Sequence, residues 1–138
     1  MADSRWNDEL LTGDAMVDEQ HRTLFEMVER FADALDAGGD GEAVADTLYE
    51  VLVYAEDHFR DEEALMERID YPGLESQRRM HAAFAADAKD MARAFIEHHS
   101  VNGPVLLDYL TDWLDNHVRT QDMALARFLA AEKRDSED

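Results

Sequence analysis

Apolar residues recur at helical spacing in four stretches of the chain, and its breakers fall between them: GGDG at 38–41, YPG at 71–73 and NGP at 102–104. The pattern predicts helices over about 18–37, 42–69, 74–98 and 104–131, with residues 1–17 as a leading arm. Asp18 is the expected N-cap of the first helix, and Pro104 suits the first turn of the fourth. The first inward stripe reads His21, Leu24, Phe25, Val28, Phe31, Leu35, and the second Leu48, Val51, Leu52, Ala55, His58, Phe59, Glu62, Leu65, Met66, Ile69. The third reads Leu74, Gln77, His81, Phe84, Ala88, Met91, Phe95. The fourth reads Leu106, Tyr109, Leu110, Trp113, Leu114, His117, Val118, Asp122, Leu125, Phe128. No strand alternation or repeat accompanies them. The expectation is one all-α domain over 1–138, an up-down-up-down antiparallel four-helix bundle with an N-terminal arm, because short connections make successive helices antiparallel neighbours. Trp6 is expected to pack the arm onto the bundle.

Every stripe carries polar residues that a plain core would not contain, and their heights can be counted from the turns. Around residue 39, His21 lies 18 positions before and His58 lies 19 after; around 72, Glu62 lies 10 before and His81 lies 9 after. Around 101–102, His81 lies about 20 before, and His117 and Asp122 about 16 and 20 after. At about 1.5 Å per residue, all four helices deliver these groups to one layer. A single histidine on an apolar stripe is ordinarily a hydrogen-bonded core residue. Four histidines and two carboxylates buried together are different, since without cations each ion would cost several kcal/mol to desolvate. His58 and Glu62, like Gln77 and His81, are four apart and project from one helix face.

Composition narrows the chemistry. With no cysteine among 138 residues, disulfides, thiolate metal sites and cysteine nucleophiles are excluded, leaving imidazole and carboxylate as the strong ligands. Together these suit iron, manganese or zinc, and six ligands exceed what one four-coordinate zinc needs. The net charge of -20 repels phosphate backbones and anionic headgroups, so neither nucleic acid nor a membrane is an expected partner. The polar opening MADSRWNDEL and the lack of a membrane-length apolar run lead to an expected cytoplasmic location.

From Trp6 to about Phe128 the chain resembles the hemerythrin family, specifically its single-domain bacterial members. The likeness rests on TGDAMVDEQHRTLF at 12–25, HFRDEEALM at 58–66, YPGLESQRRMH at 71–81 and DWLDNHVRTQD at 112–122. It implies two iron ions, oxo- or hydroxo-bridged, one bound by His21 and His58, the other by His81 and His117, with Glu62 and Asp122 spanning both. It implies reversible binding of dioxygen or a similar small ligand, with Phe25, Phe59, Trp113 and Val118 as candidates for the pocket wall. The chain departs from the family at Gln77, where the third-helix block normally has a histidine. Gln77 either ligates through its amide oxygen or leaves an open position. His98 and His99 lie about 17 residues, or roughly 25 Å, along the helix and are expected at the surface. Oxygen storage, delivery or sensing is the expected function. The alternative is a di-iron redox enzyme acting on peroxide or nitric oxide because of the altered ligand.

Overall fold

A computed structural model of the chain describes residues 10–38, 41–98 and 102–137, and among them it contains helices and turns but no strand. The helices are α1 (Ala15–Asp36), α2 (Gly41–Arg68), α3 (Leu74–Arg93), α4 (Gly103–His117) and α5 (Met123–Glu137). A π-helical turn, Ala94–His98, extends α3, and a second, Val118–Asp122, joins α4 to α5. Val118 (φ -63°, ψ -47°) and Met123 (φ -71°, ψ -28°) keep right-handed helical dihedrals, so α4, the π segment and α5 form one continuous rod.

The resulting four rods are antiparallel neighbours. Gln20 of α1 meets His58 of α2, while Leu35 and Val44 share a groove at the other end. Glu56–Lys89 and Glu63–Arg78 cross between α2 and α3. Between α3 and the last rod, His81 pairs with His117 and Phe84 with Trp113. His21 reaches Asp122 while Leu35 lies against Gly103. In each pair the residue numbers run in opposite directions. The apolar core is continuous from Leu24, Phe25, Val28 and Phe31 through Leu48, Val51 and Leu52 to Phe84, Ala88, Leu106 and Leu110. Each of the larger side chains contributes about 1.5–3 kcal/mol by leaving water.

Helix α1 starts three residues earlier than its sequence suggests. Its N-cap is Asp14, whose carboxylate accepts from Val17 N at 2.9 Å. Asp18 instead lies inside the first turn and folds the arm back, accepting from Thr12 N at 2.7 Å, Thr12 Oγ1 at 2.8 Å and Gly13 N at 3.2 Å. The arm is anchored by Leu10, only 1% exposed within the core. The anchoring expected of Trp6 and the surface position expected of His99 lie outside the described residues, as does the side chain of His98.

Between α2 and α3 the chain reverses through Asp70 in the left-handed region (φ 53°), with Tyr71 N donating to Met66 O at 2.9 Å. A Cβ on Gly73 would lie 2.6 Å from the Tyr71 ring, so glycine lets that ring fold over the turn. Tyr71 and Phe128 pack edge to face, with centroids 5.1 Å apart.

Candidate metal centre

One cross-section of the bundle contains His21 from α1, His58 and Glu62 from α2, Gln77 and His81 from α3, and His117 and Asp122 from the last rod. Exposure ranges from 0% for His21 and Glu62 to 5% for His117, so water does not solvate these groups. Glu62 Oε2 lies 3.4 Å from His21 Nε2 and 3.2 Å from His58 Nε2, while its Oε1 lies 3.5 Å from His81 Nε2. Asp122 likewise divides, with Oδ2 3.0 Å from His21 Nε2 and Oδ1 3.6 Å from His117 Nε2. Donor atoms of His21, His58, Glu62 and Asp122 all lie within 4.8 Å of one another, as do those of Glu62, His81 and His117.

His117 and Asp122 are five positions apart, which in an α-helix would leave their side chains about 140° apart around the axis. The π segment, with its i→i+5 bonding, returns Asp122 to the face of His117. On α2 and α3 the corresponding pairs are four apart, and ordinary α geometry suffices.

Outer partners orient two imidazoles. His58 Nδ1–H donates to Gln20 Oε1 at 2.7 Å, and Gln20 Nε2 donates onward to Asp61 at 2.9 Å. His81 Nδ1–H donates to Glu63 Oε2 at 2.9 Å. These bonds turn Nε2 of each ring inward, the arrangement that presents a lone pair to a metal. The sequence reading missed both partners. Their one signal was adjacency, Gln20 beside His21 and Glu63 beside Glu62.

Without a metal, protons carry the layer's positive charge. Burial opposes the charged form of His21, but hydrogen bonds to Asp122 and Glu62 outweigh it and hold the ring up to about 9. Burial, reinforced by the Glu62 charge, pushes Asp122 up to about 7. Burial would raise Glu62 too, yet hydrogen bonds from His21, His58 and His81 hold it well below the carboxylate range. His117 is driven down to about 3 by burial and then by the charge of His81. Two like carboxylates in one dry layer cannot both ionise unaided, so one is ionised and the other keeps its proton.

Both oxygens of Glu62 and Asp122 Oδ2 face only imidazole nitrogens, 3.0–3.5 Å away and too poorly aligned for well-formed hydrogen bonds, and Gln77 Oε1 is buried with no donor at all. Such groups are rare in folded proteins and call for a partner. Inward imidazole nitrogens and unsatisfied carboxylate oxygens are the donors a divalent cation takes, so the residues fit a metal.

Of the proposed pocket residues, Phe59 stacks on His81 with centroids 4.0 Å apart, and Trp113 stacks on His117 at 4.4 Å. Phe25 and Val118 are buried in the apolar core cluster. A surface groove of about 430 Å³ between α2 and α3, lined by Phe59, Glu63, Arg78 and His81, reaches the outer side of His81.

Residues 12–129 match the family model described as the hemerythrin HHE cation binding domain. The chain belongs to the hemerythrin family. A bacteriohemerythrin of Pseudomonas aeruginosa is 33% identical over 122 residues, covering 88% of this chain and 78% of that protein. A bacteriohemerythrin of Ralstonia nicotianae is 27% identical over 134 residues, covering 97% and 94% respectively. A myohemerythrin of Theromyzon tessulatum is 27% identical over 106 residues, 77% of each chain. The hemerythrin match opens at Thr12, the residue Asp18 holds, and therefore takes in all four rods and the whole polar layer.

Proposed function

We propose that this hemerythrin domain holds two iron ions, oxo- or hydroxo-bridged, and binds dioxygen reversibly for storage, delivery or sensing. One observation carries the reading: both carboxylates straddle the layer, each offering one oxygen to the His21 side and the other toward His81 or His117. A site for one ion has no use for two shared carboxylates. His21 and His58 would hold one iron, His81 and His117 the other, and Glu62 and Asp122 both. When bound, the iron pair supplies the electrons that reversible binding of dioxygen draws on.

The chain's own residues supply the rest. Gln20 and Glu63 fix the tautomers of His58 and His81. Phe59 and Trp113 cover two imidazoles, and with Phe25 and Val118 keep the layer dry. The net charge of -20 supports a small-ligand role over one on nucleic acid, and no helix among the described residues is long and apolar enough to cross a membrane.

Metal analysis, combined with visible absorption of the reduced protein before and after oxygen, tests the reading. Two irons per chain and a spectrum that reverts when oxygen is removed are expected. One iron, or an irreversible spectrum, would sink it. The second reading, a di-iron enzyme acting on peroxide or nitric oxide, is favoured by Gln77, whose amide stands where the family resemblance implies an imidazole. Steady consumption of either substrate by the loaded protein would decide for it.

A further inference from the structure

The two halves of the layer are not equivalent, and Gln77 is where they diverge. It sits one turn before His81, 1% exposed, and its Nε2 donates to Asp122 Oδ1 at 3.2 Å. An amide presents its nitrogen and oxygen on opposite arms. Once Asp122 is ionised, as a metal ligand must be, flipping the amide to offer Oε1 at the same place would set that oxygen against Asp122 Oδ1, so the carboxylate fixes the amide in its donating orientation and leaves Oε1 buried on the opposite arm. Asp122 meanwhile leans toward the first half, its Oδ2 3.0 Å from His21, while Oδ1 takes the amide and stands 3.6 Å from His117. Glu62 leans the same way, with Oε2 facing both His21 and His58 and Oε1 facing only His81.

Resting on the two-metal reading above, we propose that the two positions bind metal unequally: His21, His58, Glu62 and Asp122 hold a resident ion, while Glu62, His81, His117 and the Asp122 oxygen that the amide also engages hold an exchangeable one, because Gln77 binds Asp122 instead of ligating. The first position has two imidazoles and two carboxylates, the second two imidazoles, one carboxylate and a second carboxylate whose near oxygen is shared with the amide. The groove between α2 and α3 also approaches the outer side of His81, whereas His21, which is fully enclosed, does not line it.

The test uses the full-length chain loaded with Co(II), challenged with a graded chelator series, and reads both metal released and the visible Co(II) bands of the metal retained. Two release steps are expected, separated by about 100-fold in chelator, the scale on which the groups around a metal alter its affinity. Gln77→His should draw the steps together by about tenfold or more. Gln77→Glu, which adds a carboxylate at the same point, should do likewise if the histidine variant fails to fold. Two metals leaving in one step from the natural chain would overturn the proposal. Separate steps that neither variant narrows would overturn the role of Gln77. A single metal per chain in every protein would instead overturn the two-metal reading.

Discussion

Asp122 faces the same layer as His117, with Oδ1 3.6 Å from Nε2, only because the five residues Val118–Asp122 are π-helical. A π turn holds one more residue than the α turn it replaces, and residues beyond it keep their phase. Deleting Thr120, which is exposed, should therefore leave an ordinary α turn with Asp122 still on the layer. Inserting an alanine after Thr120 should swing Asp122 about 100° away. Metal analysis is expected to find the deletion variant loaded and the insertion variant depleted. Equal loading of the insertion variant would mean that Asp122 is not a ligand.

Glu62 spans both halves of the layer and is fully buried. Glu62→Ala removes the shared carboxylate and leaves buried imidazoles facing a gap, a change expected to cost about 3–5 kcal/mol. Glu62→Gln keeps the volume and should lose less stability. Metal content should fall below about half in the alanine variant, because neither position keeps its ligand set. Urea denaturation with metal analysis checks both, and an alanine variant with unchanged midpoint and metal would count against a bridging role.

Much of this was legible in the sequence because polar residues on apolar stripes can be counted from turns. That counting brought His21, His58, Glu62, His81, His117 and Asp122 to one height, and the structure brings them to one cross-section. It worked because α2 and α3 are regular α-helices around the site, where height and face follow from spacing alone. It gave no account of how Asp122 reaches the face of His117, since the π turn is a local departure from that rule. Gln20 and Glu63 stayed hidden for another reason. They flank the buried stripe, and their roles depend on which way an imidazole turns. The start of α1 was misread because Asp14 and Asp18 both suit an N-cap, and only the fold of residues 10–14 decides between them.

That fold hangs on Leu10, 1% exposed, beside Leu11, 42% exposed. Leu10→Ala should cost about 2–5 kcal/mol and Leu11→Ala less than about 0.5 kcal/mol. A urea titration of the two variants checks the contrast. Equal effects would mean that the arm is not anchored at Leu10.

Stability of the metal-free chain should fall as pH rises above neutral, and the advantage of the loaded chain over it should grow. In the metal-free chain His21 is raised from 6.5 to about 9 and Asp122 from 3.8 to about 7, so the folded state holds both protons more tightly than the unfolded state does. The stability each contributes is complete below its unfolded value and is lost as pH rises through the folded one. His117, lowered from 6.5 to about 3, acts the other way, contributing above 6.5 and losing that contribution as pH falls. Between 3.8 and 6.5 the slopes of Asp122 and His117 oppose each other; above 6.5 the losses at His21 and Asp122 remain, joined by that at His81, which, against burial, its hydrogen bonds to Glu62 and Glu63 also raise. The metal-free midpoint in urea should therefore fall from pH 6.5 to 9. Bound metal takes the place of those same protons, so its affinity rises over that range and the gap between loaded and metal-free midpoints should widen. Metal added at pH 6.5 should release protons into a weakly buffered solution, most from His21 and Asp122. A metal-free midpoint that rises toward pH 9 would show that the layer does not hold protons where cations belong.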